Sequence, residues 1–132
     1  MKKSIALATA AALFATPAIA ENIKLGVLLG FTGPIESLTP DMAAGAEMAM
    51  AEASKSGKFM GGSTIESVRG DSTCVDAAAA TATAERLITS DKVVAIMGAD
   101  CSGVTTAVLQ NVATAKGVVM ISPSATSPAL ST

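Results

Sequence analysis

Apolar residues along this chain alternate between short unbroken runs and longer stretches in which they recur every three or four positions. The run "IKLGVLL", Ile23 to Leu29, reads as a buried strand. It stops at "GFTGPIESL", where Gly30, Gly33 and Pro34 mark a loop. Thr39-Pro40-Asp41 then carries a helix start: Thr as N-cap, Pro in the first turn and an acid beside them. The helix "MAAGAEMAMAEAS" runs to about Ser54, with Met42, Ala46, Ala49 and Met50 on one face, until "KSGKFMGGS" breaks it. Thr64 to Arg69 alternates as a second strand and leads into the polar loop "GDSTC".

Asp76 to Ser90 reads as an Ala-rich helix whose inward stripe is Ala80, Ala84, Leu87 and Ile88. Val93 to Met97 is a third strand. Gly103 to Lys116, stopped by Gly117 and with Ser102 as its N-cap, is a third helix. Val118 to Ser122 is a fourth strand, followed by "PSATSPALST". Strand and helix in strict alternation predict an α/β fold, a parallel sheet covered by helices on both faces and joined by right-handed crossovers. In such sheets small ligands sit outside the carboxyl ends of the strands, at helix N-termini. The rule selects three loops: Thr32–Leu38, Asp100–Gly103 and Ser122–Ser127.

The first twenty residues stand apart. "MKKSIALATAAALFATPAIA" has Lys2 and Lys3, an apolar run from Ile5 and a small-x-small ending at Ala18-Ile19-Ala20. This is the layout of a cleavable secretory signal. The apolar run is roughly 16 residues and holds Pro17, short of the ~18–20 needed to span a bilayer. Glu21 rather than Cys follows the expected cut, which disfavours a lipid anchor. Removing the signal leaves seven basic against eleven acidic residues, a net charge near −4. Nucleic-acid binding would call for a clustered basic surface, so none is expected.

Export to an oxidising compartment makes a disulfide of Cys74 and Cys101 the expectation. They lie 27 positions apart, and closing such a loop contributes about 3.5 kcal/mol on the chain-entropy account. A metal site is disfavoured, because the chain has no His and only two Cys, too few ligands for a standard zinc site. Catalysis fares no better. Asp100 and Val104 occupy the flanks where a nucleophile elbow around Ser102 needs Gly, and without His no Ser-His or Cys-His couple can form. Gly26, Gly30 and Gly33 do not fit a dinucleotide fingerprint, and "GKFMGGST" lacks the end of a phosphate loop. Neither an enzyme nor a cofactor is expected.

Binding is the remaining chemistry. The N–H groups that follow Ser102 lie at the positive end of a helix dipole, which suits an anion. Ser124, Ala125 and Thr126, between Pro123 and Pro128, offer hydroxyls and carbonyls. The pair of loops suits a zwitterion, carboxylate at one and ammonium at the other. Alone, Ser102 could equally be a plain helix cap.

The order "GVLLGFTGPI", "GAEMAMAEA", a Cys-bearing acidic loop, "VVAIMGADCSGVTTAV" and "GVVMISPSATSPALS" resembles the amino-terminal lobe of periplasmic leucine/isoleucine/valine-binding proteins. These are the type I solute-binding proteins of ABC importers, with Rossmann-like lobes. The resemblance covers residues 23–132. It implies that Ser102 binds a ligand α-carboxylate, that the Ser124 segment supplies a carbonyl for the ammonium, and that Thr126 assists at the carboxylate. It also implies the Cys74–Cys101 pairing, a periplasmic location, a membrane permease as partner and no membrane span after signal cleavage.

Three departures from the family pattern matter. Leu38 stands where the family often has an aromatic residue, so one wall of the side-chain pocket is smaller. Asp100 replaces an apolar residue before the second Cys. It could favour a polar or cationic ligand side chain, or sit in solvent near the helix start, the reading put ahead. Family members also carry a second lobe that closes over the ligand, so the chain reads as residues 21–132 of one lobe, a fragment. The expected function is an amino-acid-binding component of an ABC importer, branched-chain by family default. The alternative is a ligand-sensing receptor or regulatory domain of the same fold.

Overall fold

The computed structural model describes residues 20–131. The expected signal segment therefore lies, but for Ala20, outside the described residues. Four parallel strands form one sheet in the order β2-β1-β3-β4: β1 (Asn22–Leu29), β2 (Thr64–Asp71), β3 (Ala95–Gly98) and β4 (Val119–Ile121). Between them run α1 (Thr39–Lys55), α2 (Ala77–Thr89) and α3 (Ser102–Val108). A π-helical turn, Leu109–Ala113, and a last α turn, Thr114–Lys116, carry α3 on to Gly117.

The alternation of side chains along β1 builds the two halves of the core. Val27 and Leu29 point to one face and pack with Ala43 and Met50 of α1. Leu28 points to the other and joins Ala80, Ala84 and Leu87 of α2 with Val104 and Val108 of α3. Small Ala side chains let α2 lie close to the sheet, which an Ala-rich stripe predicts. On α1 the expected stripe needs one correction: Met50 is buried as expected, but Ala49 is exposed and Ala43 is buried instead. A helix advances 100° per residue, so Ala43, Ala46 and Met50 form one row and Ala49 falls beside it.

Helices do lie on both faces, yet coverage is uneven. Among the described residues no helix covers β3 and β4 on the α1 face, which holds a hollow of ≈180 Å³ lined by Leu25, Met50, Ala95, Met97, Val119 and Ile121 among others. The strand boundaries also shift slightly. β3 begins at Ala95, because Val94 N–H bonds to Lys24 O (3.0 Å) and Val93 packs inward with the α2–α3 core.

The chain leaves β1 toward β2 on one side and later returns to β3 on the other. β1 and β3 thus flank the point where the direction of winding reverses, the place at which open α/β sheets hold ligands. Leu28 stands at that point, wholly buried. Leu28→Ala should cost about 3 kcal/mol of unfolding free energy in urea titration. A loss under 1 kcal/mol would show that Leu28 is not packed into the α2–α3 half of the core as described.

Candidate ligand-binding site

The four strand exits meet at one edge of the sheet, and Asp100 sits at their centre. It is 2% exposed. Its Oδ2 accepts from Gly30 N–H at the β1 exit (2.6 Å). Its Oδ1 accepts from the Ser72 hydroxyl at the β2 exit (3.1 Å) and from Cys101 N–H (2.9 Å). Its backbone carbonyl accepts from the Ser124 hydroxyl beyond β4 (2.9 Å). The solvent reading of Asp100 is therefore corrected: the carboxylate is withdrawn from water and its oxygens accept from protein donors, the condition on which a charge can be buried.

Close approach of backbones explains two glycines here. A Cβ at Gly33 (φ 97°) would fall 2.5 Å from Thr73 O, and one at Gly98 (φ 140°) would fall 2.1 Å from Leu28 O. Any side chain would drive the loops apart. Thr39 Oγ1 donates to Gly30 O (3.1 Å), which brings the head of α1 onto the β1 exit. The expected N-cap role of Thr39 is corrected by this: Leu38 is the N-cap and Thr39 is the first helical residue.

The disulfide Cys74–Cys101 is present, with a Cα–Cα distance of 5.2 Å. Thr73 (φ 58°) and Cys74 (φ 69°) are both left-handed, at roughly 1 kcal/mol or more each. Asp71 supports that turn. Its Oδ1 accepts from Thr73 N–H (2.8 Å) and Thr32 N–H (3.3 Å), and its Oδ2 from the Thr32 hydroxyl (2.5 Å). Beside it, Arg69 forms a two-pronged pair with Glu47 (2.7 Å each) and stacks 5.4 Å above Phe31.

The head of α3 also differs from expectation. Cys101 is the N-cap, and Ser102 is the first helical residue. The Ser102 hydroxyl oxygen accepts from Thr126 N–H (3.0 Å) and Ser127 N–H (3.1 Å). A hydroxyl has two lone pairs and one proton, so what Ser102 retains for a ligand is its O–H donor. Next to it, Gly103 is exposed, and a Cβ there would meet open space. The first-turn N–H groups of a helix have no intrahelical acceptor.

The 122–127 loop is held to the same unit. The Ser122 hydroxyl donates to Ala99 O and accepts from Ala125 N–H (2.8 Å) and Ser124 N–H (3.3 Å). Thr126 and Ser124 are exposed and Ala125 is half-buried. Leu38 is 60% exposed at the head of α1. Ser102, Ser124, Ala125 and Thr126 are thus brought together, and Leu38 stands on the loop at the other side of the Asp100 clamp. The sequence reading placed Ser122 in a selected loop but gave no role to it, to Ser72 or to Asp71, short polar residues at strand ends. Their position just past an apolar run was the available signal.

A model of the periplasmic binding protein family matches residues 22–132. A Leu/Ile/Val-binding protein homolog of Brucella melitensis is 38% identical over 102 residues, 77% of this chain and 25% of that protein. Among solved structures, the branched-chain amino acid transporter substrate-binding protein of Streptococcus pneumoniae, in complex with isoleucine, matches with a TM-score of 0.74 and 35% identity, over 83% of this chain and 30% of its own. An ABC transporter solute-binding protein of Rhodopseudomonas palustris, in complex with 4-hydroxybenzoate, matches with a TM-score of 0.68 and 28% identity, over 83% and 28%. The chain spans about a quarter of the length of the Brucella relative.

The Asp71 clamp sets a pH dependence. Partial burial pushes its pKa up, but the Thr32 hydroxyl and the N–H groups of Thr73, Thr32 and Phe31 outweigh burial and hold it below the ordinary 3.8. A folded-state pKa that is depressed gives stability present above the unfolded value and lost as pH falls through the folded one. Wild-type stability in urea should fall more steeply than that of Asp71→Asn as the pH drops below about 4. Parallel curves would show that the clamp carries no free energy.

Proposed function

The chain belongs to the periplasmic binding protein family, and from that premise we propose that it forms the amino-terminal lobe of the periplasmic receptor of an ABC importer. Its ligand is a small carboxylate-bearing solute, an amino acid by preference. The relatives are binding proteins rather than enzymes. A membrane permease is the partner to which such a receptor delivers its cargo.

One observation carries the reading. The Ser102 hydroxyl, its lone pairs occupied by Thr126 and Ser127 N–H, keeps a donor beside the first-turn N–H groups of α3. Donors without acceptors at a helix start suit a carboxylate. Isoleucine and 4-hydroxybenzoate, the ligands of the two solved relatives, differ in charge, shape and ring, and share a carboxylate. The ammonium of an amino acid would lie toward Ser124, an exposed residue of the 122–127 loop, and its side chain toward Leu38.

A single lobe contacts one side of such a ligand and leaves the other in water, so affinity for L-leucine is expected to be on the order of 1 mM. In a ¹H–¹⁵N titration, leucine should move the amide signals of Ser102, Gly103, Val104 and Thr126. Ser102→Ala should weaken that response about tenfold, the worth of one hydrogen bond to a charged group. A sub-micromolar constant, or an Ser102→Ala response equal to wild type, would contradict the assignment.

A further inference from the structure

The rim of the site is made of two units, and different ties join them. One unit is the pair of exits from β1 and β2, residues 30–38 and 71–74. The other is the head of α3 with the 122–127 loop, tied internally by Ser102, Ser122 and Ser124. The disulfide reaches from the second unit to residue 74, in the β2 exit. The Asp100 carboxylate reaches Gly30, in the β1 exit, at 2.6 Å. Gly30 in turn accepts from Thr39 at the start of α1, so the loop bearing Leu38 is anchored at both ends.

We propose that Asp100 is a positioning residue that fixes the Leu38-bearing loop at a set distance from Ser102, and so sets the spacing the site accepts between a ligand's carboxylate and its side chain. The proposal rests on the carboxylate reading of Ser102 for its ligand effects, though not for the clamp itself.

The chemistry of the clamp is specific to a carboxylate. Two of its three donors, Gly30 N–H and Cys101 N–H, are backbone groups that cannot reverse their polarity. An Asn amide offers one acceptor oxygen and one NH₂. Whichever way it turns, its NH₂ faces one of those N–H groups, which is then left buried without an acceptor. Ser72 is different, because its hydroxyl can rotate. Ser72→Ala removes one contact to Oδ1 and leaves both backbone contacts in place.

Asp100→Asn and Ser72→Ala in the whole chain therefore separate positioning from plain stability. In Asp100→Asn, amide exchange at Gly30 or Cys101 should quicken at least tenfold relative to Leu28, and in Ser72→Ala it should not. L-leucine spans both units of the rim, whereas acetate engages the Ser102 unit alone. Asp100→Asn should weaken leucine about tenfold and acetate markedly less. If leucine and acetate weaken equally, or if Ser72→Ala weakens leucine in proportion to its loss of stability, Asp100 is structural only and the proposal falls. Should wild type bind neither probe, the ligand reading fails, and amide exchange alone decides the clamp: quickened exchange upholds it and unchanged exchange refutes it.

Discussion

Three strands can end side by side at one small volume only because a single buried carboxylate satisfies the donors they bring there. Asp100 accepts from Gly30, Ser72 and Cys101 while almost wholly withdrawn from water. A buried charge without partners is costly, so the arrangement holds as a set. The approach of the strands places the donors, and the donors make the charge tolerable. Gly30 belongs to the same constraint, since a Cβ there would lie 3.2 Å from both Asp100 Oδ2 and Cys74 Cβ.

With the exits held, the head of α3 cannot turn away. Its N-cap is Cys101, fixed by the disulfide and by its own N–H bond to Asp100. The next residue, Ser102, is drawn against the 122–127 loop by two N–H donors. The head of α3 thereby lies beside the point where the sheet reverses its winding. Asp100, Ser102 and Ser122 thus use their acceptor oxygens on protein N–H and O–H donors, and the proposed preference for a carboxylate follows from the donors that are left.

Much of this was legible from residue order. Strand-helix alternation, the Ala stripe of α2 and the Gly117 stop are local patterns, and each appears in the fold where the periodicity puts it. The disulfide followed from two cysteines and the expected export of the chain. The uneven cover of the sheet was not legible, because periodicity tells which face of a strand is apolar and not how far a helix reaches across its neighbours. Asp100 was misread for a related reason. Next to a helix start an acid is ordinarily a surface residue, and only the approach of Gly30 and Ser72, 70 and 28 positions away, converts it into a core acceptor. The cap at Ser102 was misplaced by one residue, since its hydroxyl serves a loop 24 positions downstream instead of its own first turn.

The account turns on which end of a solute the α3 head receives. A crystal structure of the protein soaked with L-leucine reads this out directly. A carboxylate oxygen within about 3 Å of Ser102 Oγ and of a first-turn N–H of α3, with the ammonium toward residues 122–126, is the predicted result. A leucine bound the other way round, its ammonium against Ser102, or seated in the hollow between Leu25 and Ile121, would contradict it.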